Sequence, residues 1–252
     1  MNKKGFAALA IILIVVVVLA VVGGIAWVHY YYLPSTSSAT TTPNAATPSP
    51  ETAAAMLAIQ TVKSGTVAQY LDVVPTPHTL HPINATGFSK LLFNGIIISF
   101  PWTDANSTTS KSQTFIQARF SNGREFTLFD YGKDVSPQGF ATQSSSIQTG
   151  YDLWSAALNA TPDEITNSTP GDEAQFIAKL VILKSTIFVG FSSSYSFSTN
   201  VVRGFQFGEA STSKEADINF FDQNDNHYNL LISGTQDEID YVLASIQPSH
   251  LE

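Results

Sequence analysis

Between Phe6 and Val28 the chain runs for 23 residues without a charged side chain. As a helix rising 1.5 Å per residue this stretch is roughly 35 Å long, enough to cross the hydrocarbon of a bilayer with some tilt. Lys3 and Lys4 precede it, and the next basic residue on the other side is Lys63. Basic residues favour the cytoplasmic side, so the N-terminus is expected inside and the remainder outside. Trp27, Tyr30, Tyr31 and Tyr32 fall where such a helix leaves the apolar zone, as interfacial aromatic residues do. The expected organisation is a cytoplasmic N-terminus at residues 1–5, a transmembrane helix at 6–28, a linker at 29–49 and an extracytoplasmic domain at 50–252. The first partner is therefore the lipid bilayer, through residues 6–28, in a single-pass arrangement at the cell membrane.

Two other fates of the leader compete with a permanent signal-anchor. A secretory signal has an apolar region of about 7–15 residues, shorter than this one, although Gly24-Ile25-Ala26 is a passable cleavage site. Lys3-Lys4-Gly5-Phe6 ahead of an apolar helix resembles the leader of type IV pilins and pseudopilins. That resemblance implies cleavage between Gly5 and Phe6 and packing of the helix in a filament core. It covers about 25 residues. It departs from the family at Ala10, where a glutamate is usual, and at Pro34, where a pilin stem would continue as helix. Lipid attachment through cysteine is excluded, because the chain has no cysteine. The same absence removes disulfides, thiol catalysis and thiolate metal sites.

Ser35–Pro50, STSSATTTPNAATPSP, lacks the apolar residues needed to fold and reads as a disordered stalk. Net charge is −8 for the whole chain, and removing Lys3 and Lys4 leaves ten basic against 20 acidic residues outside. Such a surface repels phosphate backbones, so nucleic acid is not an expected partner.

The domain is expected to be α+β, with antiparallel β-hairpins and several packed helices. Ser49-Pro50-Glu51 marks a helix start, and Ala53 to Val62 can be helical. Asn94-Gly95 and Ser121-Asn122-Gly123-Arg124 are turn signals between apolar runs, predicting hairpins at 91–100 and 114–129. A third pair is expected at 216–221 and 228–232. Helices are expected at 151–158, 162–165, 172 to about 184, and 237–246. Phe188, Phe191, Tyr195, Phe197, Phe205 and Phe207 have the spacing of half-buried strands.

Candidate chemistry is sparse. The acidic pairs Asp163-Glu164, Asp172-Glu173 and Asp237-Glu238 each follow a threonine, which points to helix capping rather than to the paired carboxylates of a glycosidase. Asp222, Asn224 and Asp225 resemble the front of a calcium loop and are the candidate metal ligands. The glycine and glutamate such a loop needs are replaced by His227 and Ser233. The alternative is a hairpin turn whose polar side chains face water, in which replacing both aspartates by asparagine changes stability within about 0.5 kcal/mol. His78 and His81 are spaced as a zinc pair without further ligands. Asn84, Asn106, Asn159 and Asn167 begin Asn-x-Ser/Thr sequons. No phosphate-binding loop, nucleotide fingerprint or nucleophile elbow occurs, and no cofactor is expected. The functional expectation is a non-enzymatic module binding envelope proteins or polymers. The alternatives are a pilin-like subunit, or a hydrolase whose site is assembled from distant residues.

Overall fold

The computed structural model describes residues 47–85, 88–103, 108–120, 122–134, 136–140, 144–187 and 190–249. The anchor at 6–28, the pilin-like leader, most of the linker, Asn106 and Phe188 lie outside them. Among the described residues no helix is long and apolar enough to cross a membrane.

Helix α1 is Pro50–Lys63, with Ser49 as its cap accepting from the Thr52 amide at 3.1 Å. Helices α2 (Gly150–Asn159) and α3 (Gly171–Ile187) pack with it around Ala55, Ile59, Leu153, Ala157, Ile177 and Val181. Helix α4, Gln236–Ala244, opens with the expected Thr235–Glu238 capping box, and Thr161–Glu164 forms another over a short 3₁₀ turn. Thr169 does not cap α3. Its hydroxyl turns back to accept the Thr166 amide at 2.8 Å, while its carbonyl accepts from the Thr52 hydroxyl. The starts of α1 and α3 are pressed together there: a Cβ on Gly171 would lie 2.7 Å from Glu51 Cβ. An unforeseen capping box, Thr149 with Asp152, starts α2.

The strands are β1 (Thr76–Pro77), β2 (Ser89–Phe93), β3 (Ile96–Phe100), β4 (Thr108–Lys111), β5 (Phe115–Arg119), β6 (Glu125–Lys133), β7 (Ser194–Ser198), β8 (Val202–Phe207), β9 (Glu215–Asp222), β10 (Asn226–Ser233) and β11 (Gln247–Pro248). They form an eight-stranded sheet in the order β1-β7-β8-β9-β10-β6-β5-β4 and a three-stranded sheet in the order β11-β3-β2. All three expected hairpins are present. Asn94 and Gly95 take φ of 42° and 88°, as a two-residue turn between antiparallel strands requires. The large sheet is mixed rather than wholly antiparallel, because β1 runs parallel to β7, while the small sheet is antiparallel throughout.

Alternation then divides the large sheet into two faces. On one, Ala216, Ile218 and Phe220 of β9 and Tyr228, Leu230 and Ile232 of β10 join Phe126 and Leu128 of β6. They are roofed by Phe93, Ile96, Ile98 and Phe100 of the small sheet and by Ile239, Val242 and Leu243 of α4. Each of the Ile, Leu, Val and Phe side chains among them contributes roughly 1.5–3 kcal/mol by leaving water. On the other face, Phe205 and Phe207 of β8 pack with Leu158, Tyr151, Trp154 and Phe191 under the helices. Further along the same face Asn219, Asn229 and Thr127 are also buried, while Phe115, Phe129 and Asp217 are half-buried.

Candidate functional site

The site begins with a fault in pairing. Opposite β10, Tyr228 pairs with Asp130 and His227 with Gly132, so Tyr131 is an extra residue bulged out of β6. Gly132 absorbs the bend at φ 71°. The bulge lifts Tyr131, which is 61% exposed, onto the sheet face left open by the helices. Its ring lies parallel to that of Phe129 at 6.2 Å and 5.1 Å from His227, and Phe115 follows Phe129 at 6.0 Å. His227 stacks on Phe221 at 4.7 Å and meets Trp154 at 5.1 Å, so the row ends against α2.

Beside the rings lies a polar chain. The Asn219 amide donates to Asp217 Oδ1 at 2.8 Å, and the Asn229 amide donates to the same oxygen. With its NH₂ group so used, Asn219 presents its carbonyl to His227 Nε2 at 2.9 Å, which places the imidazole proton on Nε2. Burial pulls the His227 pKa down to about 4, against the opposing Asp134 charge, so the ring is neutral. Burial pushes Asp217 up, opposed by the amides of Asn229 and Asn219. Burial, and then the Asp217 charge, push the Tyr131 phenol up. Flat rings, one carboxylate and oriented amides thus lie side by side on one face of the sheet.

The residues singled out from sequence are placed elsewhere. Asp222 Oδ1 accepts the amides of Asn224 and Asn226 at 2.8 and 2.9 Å, and Oδ2 accepts from the Asn226 side chain at 2.8 Å. Asp225, at φ 65°, receives the Gly150 amide at 2.9 Å on both oxygens and so ties the turn to the start of α2. These carboxylates do not simply face water, as a plain turn would have them. Among the described residues no group of three or more His, Asp or Glu is placed to hold a metal.

His78 and His81 meet a residue no spacing rule suggested. Asp240, 1% exposed, accepts from His78 Nε2 at 2.9 Å, the His81 backbone amide at 2.7 Å and Gln236 Nε2 at 2.8 Å. Gln236 and Gln206 exchange hydrogen bonds at 2.9 and 3.1 Å. A recess of ≈ 330 Å³ opens beside them, lined by His78, Tyr195, Glu209, Ala210 and Gln236. Among the described residues no serine, threonine or lysine lines it, and the Asp240 contacts fasten the proline-rich loop to α4.

Of the acidic pairs, Asp163 meets Lys63 at 2.8 Å. Glu238 is drawn below the usual carboxylate range although burial opposes it, because the Thr235 amide, the Trp102 indole and Arg124 outweigh burial.

No protein-family model matches the chain, and no curated protein matches its sequence.

Tyr131, Asp217, Asn219 and Asn229 were not singled out from sequence. The available signal was polar residues at alternate positions in otherwise apolar strands, Asp217 and Asn219 within EADINFFD and Asn229 within NHYNLLIS.

Proposed function

We propose that this protein is a membrane-tethered, non-enzymatic binding module whose working surface is the open half of the large sheet. The anchor sequence holds it in the cell membrane with its N-terminus in the cytoplasm and its domain outside. The observation that carries the reading is the Tyr131 bulge, which holds an aromatic ring in water beside a desolvated carboxylate. A run of partly exposed rings, Phe115, Phe129 and Tyr131, rimmed by polar groups is the kind of surface that marks an interaction site. The reading also accords with the sparse chemistry around the other polar clusters.

The test is co-sedimentation of the detergent-solubilised full chain with washed cell envelopes. Tyr131→Ala is expected to weaken retention, and Leu57→Ala, on an exposed part of α1, to leave it unchanged. Equal retention of all three proteins would remove the sheet face from the proposal. Protease applied outside intact cells should cut within 35–50, and protection of the whole chain would overturn the topology. A mature start at Phe6 would favour the pilin-like alternative.

A further inference from the structure

We propose that the open sheet face binds a neutral polysaccharide of the cell's own envelope, with sugar rings stacked along Phe115, Phe129 and Tyr131 and hydroxyls bonded to Asp217. This inference rests on the binding reading above and names its ligand class. Three observations select it.

First, the strands beneath the face have no free backbone. Strand β6 is paired with β5 and β10, and β10 with β6 and β9. A ligand there meets side chains only, so a polypeptide could not add as a strand, and its own amides would be desolvated with few partners. A pyranose has the opposite requirement: an apolar C–H face for a ring to cover, and a rim of hydroxyls for a few oriented donors and acceptors.

Second, the polar groups suit hydroxyls. The two side-chain donors to Asp217, Asn219 and Asn229, converge on Oδ1, and Oδ2 has no hydrogen-bond partner among the described residues. The carboxylate is thus held in place with one oxygen open, and a sugar hydroxyl can donate to it.

Third, the charge around the face selects a neutral polymer. Glu215 is pushed up by burial and by the Glu125 and Asp217 charges, which marks a group of mutually repelling carboxylates. The neighbouring Arg119 is committed to Glu125 at 2.8 Å. An anionic glycan would meet repulsion there. The source follows from reach: residues 29–49, fully extended, span at most roughly 70 Å, which confines the face to the envelope.

The experiment uses the full chain in detergent and three polysaccharides as depletion probes: protease-treated neutral glycan from its own cells, cellulose and polygalacturonate. The expected result is retention on the native glycan, little on polygalacturonate, and a loss of about tenfold in affinity for Tyr131→Ala, the scale of one aromatic contact. Tyr131→Phe should keep most of the binding and Asp217→Asn should weaken it, with thermal melts checking that each variant is folded. Binding to cellulose but not to the native glycan would overturn the envelope source. Preference for polygalacturonate would overturn the neutral class. Retention on whole envelopes that protease treatment abolishes would overturn the glycan and leave the binding reading standing. If neither envelopes nor glycan retain the chain, both fall.

Discussion

On β9 and β10, neighbouring residues have opposite surroundings. Ala216, Ile218 and Phe220 face the roof of α4 and the small sheet and are essentially without solvent contact. Asp217 and Asn219, one position away in each case, face the other side, where Asn219 is buried and Asp217 half-buried. The same backbone therefore carries a sealed apolar layer and a polar, ring-lined one, separated only by the pleat. The sealed face supplies the burial that holds the strands. The open face is free to carry groups a core would reject, provided they satisfy one another, as Asp217, Asn219, Asn229 and His227 do.

The largest expected difference comes from removing a ring on the sealed side. Phe220 has no exposed surface and stacks on Tyr228 at 5.2 Å. Phe220→Ala should cost roughly 3–5 kcal/mol, from lost transfer energy and the cavity left behind. Denaturant melts measure it, and a cost under about 1 kcal/mol would show that the roof collapses to fill the space.

The sealed face was legible in sequence, and the open one largely was not. Turn residues announce themselves locally, which is why Asn94-Gly95 and the loop at 121–124 located two hairpins. The pairing of β6 with β10 joins segments about a hundred residues apart across two helices, and no local signal fixes its register. The bulge at Tyr131 exists only in that register. The meeting of Asn229 with Asp217 likewise depends on the β9–β10 register. The parallel strand Thr76–Pro77 is two residues long in a proline-rich loop and has no periodicity to detect. Calcium-like spacing at 222–227 was visible, but nothing local signals that Asp225 accepts an amide 75 residues away.

Acid should separate the faces next. His227 has a folded pKa of about 4 against an ordinary 6.5. Between those values the unfolded chain binds a proton that the folded chain refuses, so stability falls as pH drops from about 6.5 to 4 and levels off below. The loss attached to this one group is of order 3 kcal/mol. Asp217 works the other way: its raised pKa lets the folded state take up a proton before the unfolded chain does, so some stability is recovered as pH falls toward the ordinary carboxylate range. In His227→Gln the amide can still donate to Asn219, and the slope between pH 6.5 and 4 should flatten. An unchanged slope would assign the acid limb to other groups.

A smaller effect is expected at the turn joining the two strands. Asp222→Asn with Asp225→Asn leaves one acceptor oxygen on each residue and sets an NH₂ group against donors that now meet a carboxylate. The cost should be about 1–2 kcal/mol, above the 0.5 kcal/mol expected of a turn whose side chains face water. Millimolar calcium should leave the melting temperature of the full chain unmoved, since a ligand stabilises only through affinity for the folded state. A rise that the double substitution abolishes would restore Asp222, Asn224 and Asp225 as a cation site.

Tyr131→Ala should have the smallest effect on folding and, for that reason, decides most. The ring is 61% exposed, so deleting it opens no cavity, and the bulge is held by Gly132 and by the Asp130 carboxylate accepting the Gly132 amide at 2.7 Å. The change in stability should stay within about 0.5 kcal/mol. Phe220 and Tyr131 are both aromatic residues of adjoining strand ladders, yet the first should govern folding and the second ligand retention. If Tyr131→Ala unfolds the chain, the open face is part of the core and the contrast between faces fails. If it changes neither stability nor retention, the ring is incidental and the working surface lies elsewhere on the molecule.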